Sequence, residues 1–312
     1  MSLLNASYPA IYNPAKVGQL YLPDMASAVA AGQGAGLAAA SQDKERVMLL
    51  LVDAQVDFIF TEGTLSVPGA LDDTRRTIEW IYRNAGQLTN ISASLDSHTT
   101  FQIFYPTWWG NDRGEHPAPF TPITTDDIRK GVWRPLVDPA WSLQYVEKLE
   151  QGGKYTLMIW PYHTMIGTPG NALVPTLSEA IMYHAAARHA QPTWLLKGSI
   201  PQTENYSILE PEVKVASHPL GGLNSAFLDL LAKYDLIYVA GQAKSHCVLS
   251  TMRSIMQYFA GQPQVISKLR FLMDCTSSVA HPSIDFDALA NAELAEMSKK
   301  GMRLVKSTDP LG

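Results

Sequence analysis

The chain has 312 residues and a formal net charge of −5, with 46% hydrophobic and 17% charged residues. This is enough to bury a full core in one large domain or two modest ones, and the acidic excess argues against a generic nucleic-acid or anionic-membrane binder, whose footprint would be basic. No stretch approaches the roughly 18 apolar residues of a membrane span; the N-terminus lacks the layout of a signal peptide, and Cys247 and Cys275 allow one disulfide at most, so a reducing cytoplasm is expected.

Residues 1–45 read as an N-terminal extension, Ala- and Gly-rich at 26–40 with little amphipathic pattern, ahead of a single domain over 46–312. The apolar run at 47–52 predicts the first strand, and helical spacing follows at 70–87. A second strand is expected at 91–95. Residues 99–159 then break the pattern with many prolines and four tryptophans, Trp108, Trp109, Trp133 and Trp141. A loop of that length inside a domain is usually functional or has structure of its own, and it is read as an inserted lid or an oligomer contact. The alternation resumes with a helix at 171–189, a strand at 193–196, a helix at 222–234 and a strand at 236–240. A helix at 247–261, a strand at 269–273, a helix at 284–300 and a strand at 302–305 complete it. Runs that are apolar throughout suit strands covered on both faces. The fold expected is α/β: a three-layer, Rossmann-like open parallel sheet of about six strands with helices on both faces.

In such sheets ligands bind beyond the carboxyl ends of the strands. Those corners read Asp53-Ala54-Gln55, Asp96-Ser97-His98, Lys197-Gly198, Gly241-Gln242-Ala243 leading to Cys247, and Asp274-Cys275. Cys247 stands between a strand and a helix start, which would lower a thiol pKa from about 8.5; a small buried hydrophobe is the alternative. Cys275 lacks such a helix start and is read as structural. Lys197 suits a partner for a thiolate, or else reaches solvent. Asp53 suits a general acid or base, or a cap at the end of its strand. Asp96 and His98, two apart in an extended segment, can face one way, and His163 can add a third ligand. One carboxylate and two imidazoles suit Zn²⁺, Fe²⁺ or Mn²⁺. His184, His189, His218 and His281 read as surface or packing residues, and His246 either tunes the adjacent thiol or points away.

Taken together, these corners resemble the isochorismatase-like cysteine hydrolases, and within them the nicotinamidase branch. The matching pieces run in order: V-D-x-Q-x-D-F (52–58), D-x-H (96–98), W-P-x-H-x-x-x-G-T-P-G (160–170), K-G with Y-S (197–198, 206–207) and G-x-A-x-x-x-C-V (241–248). The resemblance implies Cys247 as nucleophile with Asp53 and Lys197 completing a triad. It implies an oxyanion hole from the Ala243 and Cys247 amides, with a cis peptide at Gln242-Ala243. Phe58 and Trp160 would sandwich an aromatic ring, with Gln55 also at the substrate. A divalent metal on Asp96, His98 and His163 would hold the ring nitrogen; no organic cofactor is implied, and a homo-oligomer is. Two departures stand out. The stretch after D-x-H, TTFQIFYPTWW, lacks the fourth metal ligand usual in bacterial members, leaving Glu115, His116 or water to complete the shell. The long insertion could admit an amide larger than nicotinamide. The expectation is a cysteine amidohydrolase cleaving a small amide through a thioester, metal-assisted. The alternatives are a metal-free carbamoyl or aliphatic amide hydrolase of the same fold, and a catalytically silent oligomeric interaction module.

Overall fold

Six strands form one fully parallel sheet: β1 (Val47–Val52), β2 (Asn90–Asp96), β3 (Thr193–Lys197), β4 (Leu236–Gly241), β5 (Leu269–Leu272) and β6 (Arg303–Val305). The order across the sheet is β6-β5-β4-β1-β2-β3. This is a computed structural model that describes residues 8–152 and 155–312; the start of the expected extension, residues 1–7, lies outside the described residues. The chain runs outward from β1 through β2 to β3, then returns to place β4 on the other side of β1. The switch point therefore falls between β1 and β4, where a parallel sheet opens a crevice at its carboxyl edge.

Every residue of β1 is buried, and its side chains alternate between two cores. Val47, Leu49 and Leu51 face one layer, which holds α2 (Ala70–Asn84) and α4 (Pro175–Arg188). Met48, Leu50 and Val52 face the other, which holds α3 (Pro139–Gly152), α5 (Ser225–Leu231), α6 (Leu249–Tyr258) and α7 (Phe286–Lys299). Burial of each such side chain stabilises the fold by roughly 1.5–3 kcal/mol. The apolar run thus became a doubly covered strand, as its composition predicts. Among the described residues, no helix is long and apolar enough to cross a membrane.

Two of the longer helices escaped the sequence pattern. The first, α1 (Met25–Gln33), forms within the Ala/Gly tract, capped by the Asp24 side chain on the Ser27 amide. It lies against α4 through small residues: Ala28 is fully buried, and a Cβ on Gly32 would sit 2.4 Å from the Tyr183 carbonyl oxygen. Contact through missing side chains leaves no apolar stripe to read. Tyr21 donates to Glu179 at 2.8 Å, and the buried Arg188 donates to the Ala38 carbonyl at 2.7 Å and pairs with Asp43, so the extension is fastened to α4.

The second, α3, lies in the insertion, which also holds two short antiparallel pairings, Trp109–Gly110 with Arg134–Pro135 and Pro122–Ile123 with Leu157–Met158. Its aromatic residues divide between core and surface. Trp108 and Trp109 are 2% and 0% exposed; Trp108 Nε1 donates to Ser142 Oγ at 2.9 Å and Trp109 Nε1 to the Ile103 carbonyl at 2.6 Å, whereas Phe101 and Phe120 are 57% and 51% exposed. The two buried tryptophans extend the core, because bulky rings with satisfied N–H groups gain more from burial than from solvent.

Candidate active site

Each strand end delivers one piece. After β1, Asp53 takes a left-handed conformation (φ 46°); its amide donates to Ser94 Oγ at 2.9 Å and the Ser94 hydroxyl donates back to Asp53 Oδ1 at 2.6 Å. After β4, Gly241 has φ 117°, and a Cβ there would lie 2.0 Å from the Val52 carbonyl oxygen, so only glycine lets β4 close on β1 at this point. The Gln242-Ala243 peptide that follows is cis, as the resemblance implies. The Gln242 side chain donates to Asp73 at 2.9 Å and accepts from the Ser277 amide at 3.1 Å, fixing the corner. A wide π-helical turn, Lys244–Val248, then carries Cys247 into α6.

Lys197, at the end of β3, is the hub. Its Nζ lies 3.0 Å from Asp53 Oδ2, 2.9 Å from Asp96 Oδ1 and 3.7 Å from Cys247 Sγ, and it donates to the Asn205 carbonyl at 2.7 Å. All four side chains are buried. Burial alone would discharge the lysine, yet the two carboxylates hold its pKa well above the ordinary value. Burial also lifts Asp53, with Asp96 adding to the rise and Lys197 opposing it. The thiol departs from the sequence expectation. Burial pushes the Cys247 pKa well up, Lys197 opposes that, and the neighbouring carboxylates add to it. Desolvation in the folded protein thus opposes the thiolate that a helix start alone would favour.

Asp96, His98 and His163 bring three ligand atoms within 4.8 Å of one another, all buried. His98 Nδ1 lies 2.9 Å from the Gly198 carbonyl oxygen and His163 Nδ1 lies 2.8 Å from that of Pro161. A carbonyl only accepts, so each Nδ1 carries hydrogen and each Nε2 is left to turn inward. The inward Nε2 atoms stand 2.9 Å and 3.8 Å from Asp96 Oδ2. Two imidazole lone pairs facing a carboxylate require a proton or a cation among them. Burial opposes charge on both rings: it drives the His163 pKa down to about 3, whereas at His98 the Asp96 carboxylate wins and raises it. The donor set therefore fits a divalent metal of the zinc, iron or manganese type. Gly198 (φ 82°) makes room for it, since a Cβ would meet Asp96 Oδ1 at 2.3 Å and His98 Cε1 at 2.7 Å. Asp57 braces the loop of His163, its Oδ2 accepting the Thr164 amide at 2.7 Å.

Neither Glu115 nor His116 joins this cluster. Glu115 accepts from Asn111 at 2.8 Å and His116 Nδ1 lies 2.6 Å from the Trp109 carbonyl oxygen, both on the exposed insertion. The acid at the site is Glu204, which the sequence reading passed over. It is buried, and burial pushes its pKa up to about 7 against the pull of His98. The available signal was a lone acid in TENYS, seven residues beyond Lys197. Gln55 is also corrected. It is fully buried and does not line the cavity; its amide donates to the carbonyls of Asp96 (2.7 Å) and Asn171 (2.8 Å) and its oxygen accepts the Asp96 amide (2.7 Å), so it holds the metal-side strand end in place.

These groups open on a narrow cavity of about 30 Å³ whose walls include Phe58, Trp160, Tyr206, Glu204, His163 and Cys247. Phe58 and Trp160 both line it, Trp160 Nε1 donating to the Tyr206 hydroxyl at 3.2 Å. Aromatic rings make up much of the lining, with Asp96, Glu204, His163, His246 and Cys247 as its ionisable groups.

Most of the chain is similar to solved structures of nicotinamidases. A yeast nicotinamidase bound to the inhibitor nicotinaldehyde superposes with a TM-score of 0.56 at 18% identity, covering 83% of this chain and 99% of that one. An Acinetobacter baumannii nicotinamidase/pyrazinamidase gives a TM-score of 0.53 at 20% identity, covering 86% and 100%. No protein-family model matches the chain, and no curated protein matches it in sequence. At these identities the likeness establishes the fold, the one the strand-end motifs implied.

Proposed function

We propose that the protein is a cysteine amidohydrolase for a small aromatic amide, working through a thioester and assisted by a divalent metal. The observation that carries this reading is Lys197 in contact with Asp53, Asp96 and Cys247 at once, which joins a nucleophile, a base and the metal-type cluster in one buried network. The similar structures are of nicotinamidases, and nicotinamide is the first substrate to try.

In this reading Asp53 takes the Cys247 proton as the sulfur attacks the amide carbon. Lys197 keeps both anions paired while the charge moves. The tetrahedral oxyanion rests against the Ala243 and Cys247 amides, a contribution of roughly 3–4 kcal/mol to lowering the barrier. Asp53 returns the proton to the departing nitrogen, then takes one from the water that cleaves the thioester, and the acid leaves. Asp96, His98 and His163 would hold the metal, with water completing its shell, and Glu204 lines the same cavity. The metal would supply a Lewis-acid contact to an acceptor on the substrate ring. Phe58 and Trp160 flank the ring and exclude water.

The test is ammonia release from nicotinamide, pyrazinamide, and carbamoyl and aliphatic amides, by wild type and Cys247→Ala, with metal content measured on protein purified without chelator. Turnover of an aromatic amide that Cys247→Ala abolishes supports the reading. Activity in metal-free protein on carbamoyl amides alone would move it to the metal-independent hydrolases. No Cys247-dependent turnover of any amide, in metal-loaded as in metal-free protein, would favour the silent interaction module.

A further inference from the structure

His246 precedes the nucleophile and is not used in the scheme above, yet it lines the same cavity. It is 6% exposed and packed among aromatic rings: Tyr155 stacks on it at 5.7 Å and 20°, while Trp160, Tyr206 and Phe286 meet it edge-on at 5.8, 5.5 and 5.0 Å. Such a wall calls for an apolar residue, so a histidine there needs a reason.

Its hydrogen bonds supply one. Ser245 Oγ lies 2.8 Å from His246 Nδ1 and accepts the Val279 amide at 3.1 Å. Ser245 is buried, and among the described residues the acceptor its hydroxyl proton meets is His246 Nδ1. The relay therefore runs Val279 N–H to Ser245 Oγ, then Ser245 O–H to His246 Nδ1. That assigns the remaining ring hydrogen to Nε2, the opposite tautomer to the two cluster histidines, whose Nδ1 atoms face carbonyls. Among the described residues Nε2 has no hydrogen-bond partner, yet it is not sealed from solvent, and the ring lines the cavity. Burial, with Arg253 adding to the effect, drives the ring's pKa down to about 4, which keeps it neutral in ordinary buffers.

We infer that His246 is a specificity-determining residue that offers a fixed Nε2–H donor from an otherwise aromatic wall, selecting amides whose planar ring carries a second hydrogen-bond acceptor. The inference rests on the amidohydrolase reading and deepens it. The metal-side cluster addresses one acceptor of the ring, and His246 addresses another. A ring lacking the second acceptor leaves a buried donor unpaired, which is how polar sites reject near-isosteric substrates.

The probes are nicotinamide, pyrazinamide and pyrimidine-5-carboxamide, which share ring size and differ in the number and place of ring nitrogens. KM and kcat are measured separately for wild type, His246→Phe, His246→Gln and Ser245→Ala, beside nitrogen-15 NMR of the wild-type histidines. The expected result is a lower KM for at least one of the two-nitrogen amides relative to nicotinamide. Phe should erase that ratio by about tenfold, Gln, which keeps an N–H donor, should restore much of it, and Ser245→Ala should weaken it. NMR should show His246 as the Nε2–H tautomer. Equal KM ratios in wild type and His246→Phe, or an Nδ1–H tautomer, overturn the inference. A uniform fall in kcat with unchanged ratios also overturns it, since that marks a role at the oxyanion. Absence of turnover on every amide refutes the amidohydrolase reading instead, and the NMR result still decides the donor if the variants fail to fold.

Discussion

Replacing Gly198 with alanine should damage the site far more than its size suggests, and Gly167→Ala provides the matched control. The two glycines have nearly the same backbone, φ 82° and 84°, but a Cβ on Gly167 meets nothing within 4 Å while one on Gly198 lies 2.3 Å from Asp96 Oδ1. Gly167→Ala should therefore cost only the left-handed backbone penalty, about 1–2 kcal/mol. In Gly198→Ala the carboxylate must move, yet it is held by Lys197 at 2.9 Å and His98 at 2.9 Å. Breaking a buried pair costs about 3–5 kcal/mol, so Gly198→Ala should exceed Gly167→Ala by roughly that amount. A domain stable by 5–15 kcal/mol in general would survive it only narrowly. Urea midpoints at constant m-value, with bound metal assayed after dialysis, measure both consequences. If Gly198→Ala unfolds within about 1 kcal/mol of Gly167→Ala and retains metal as wild type does, the packing argument around Asp96 is refuted.

Three further outcomes follow from named contacts. Asp43→Ala strands the guanidinium of Arg188, which is 1% exposed, and should destabilise the fold by about 3–5 kcal/mol in urea; a loss under 1 kcal/mol would mean water replaces the partner. Asp57→Ala frees the Thr164 amide next to His163 and should weaken Zn²⁺ binding by about 10- to 100-fold in a calorimetric titration, whereas unchanged affinity would show the loop is braced elsewhere. His184 has its pKa driven down to about 4 by burial, although its bond to the Leu88 carbonyl and nearby Asp43 oppose the fall and Arg188 adds to it. The folded state therefore resists a proton that the unfolded chain takes up from about 6.5 downward. Stability should fall between pH 6.5 and 4 by up to about 3 kcal/mol from this ring, and His184→Gln should flatten that part of the melting-temperature profile. An identical acid slope in the variant would assign the loss to other groups.

What the sequence determined by itself was everything governed by local pattern. Six apolar runs became six parallel strands, the central ones because a doubly covered strand has no polar face to alternate, although the edge strand β3 leaves Trp194 and Leu196 40% and 63% exposed; the ionisable residues at their ends fell together because parallel strands share one carboxyl edge. Asp53, Asp96, Lys197 and Cys247, spread over almost 200 positions, stood out as strand-end residues for that reason, and the family motifs singled them out as a set. What only the tertiary structure decided depends on which groups surround a side chain after the chain has crossed itself. Gln55 looked like a substrate contact from its motif and proved to brace Asp96. Glu204 was invisible because its loop has no period to place it, and α1 because small residues mark close approach without an apolar stripe. The direction of the Cys247 shift belonged to this second class as well. A helix start can be read from neighbouring residues, but desolvation is a sum over every atom that displaces water, and that sum exists only in the folded protein.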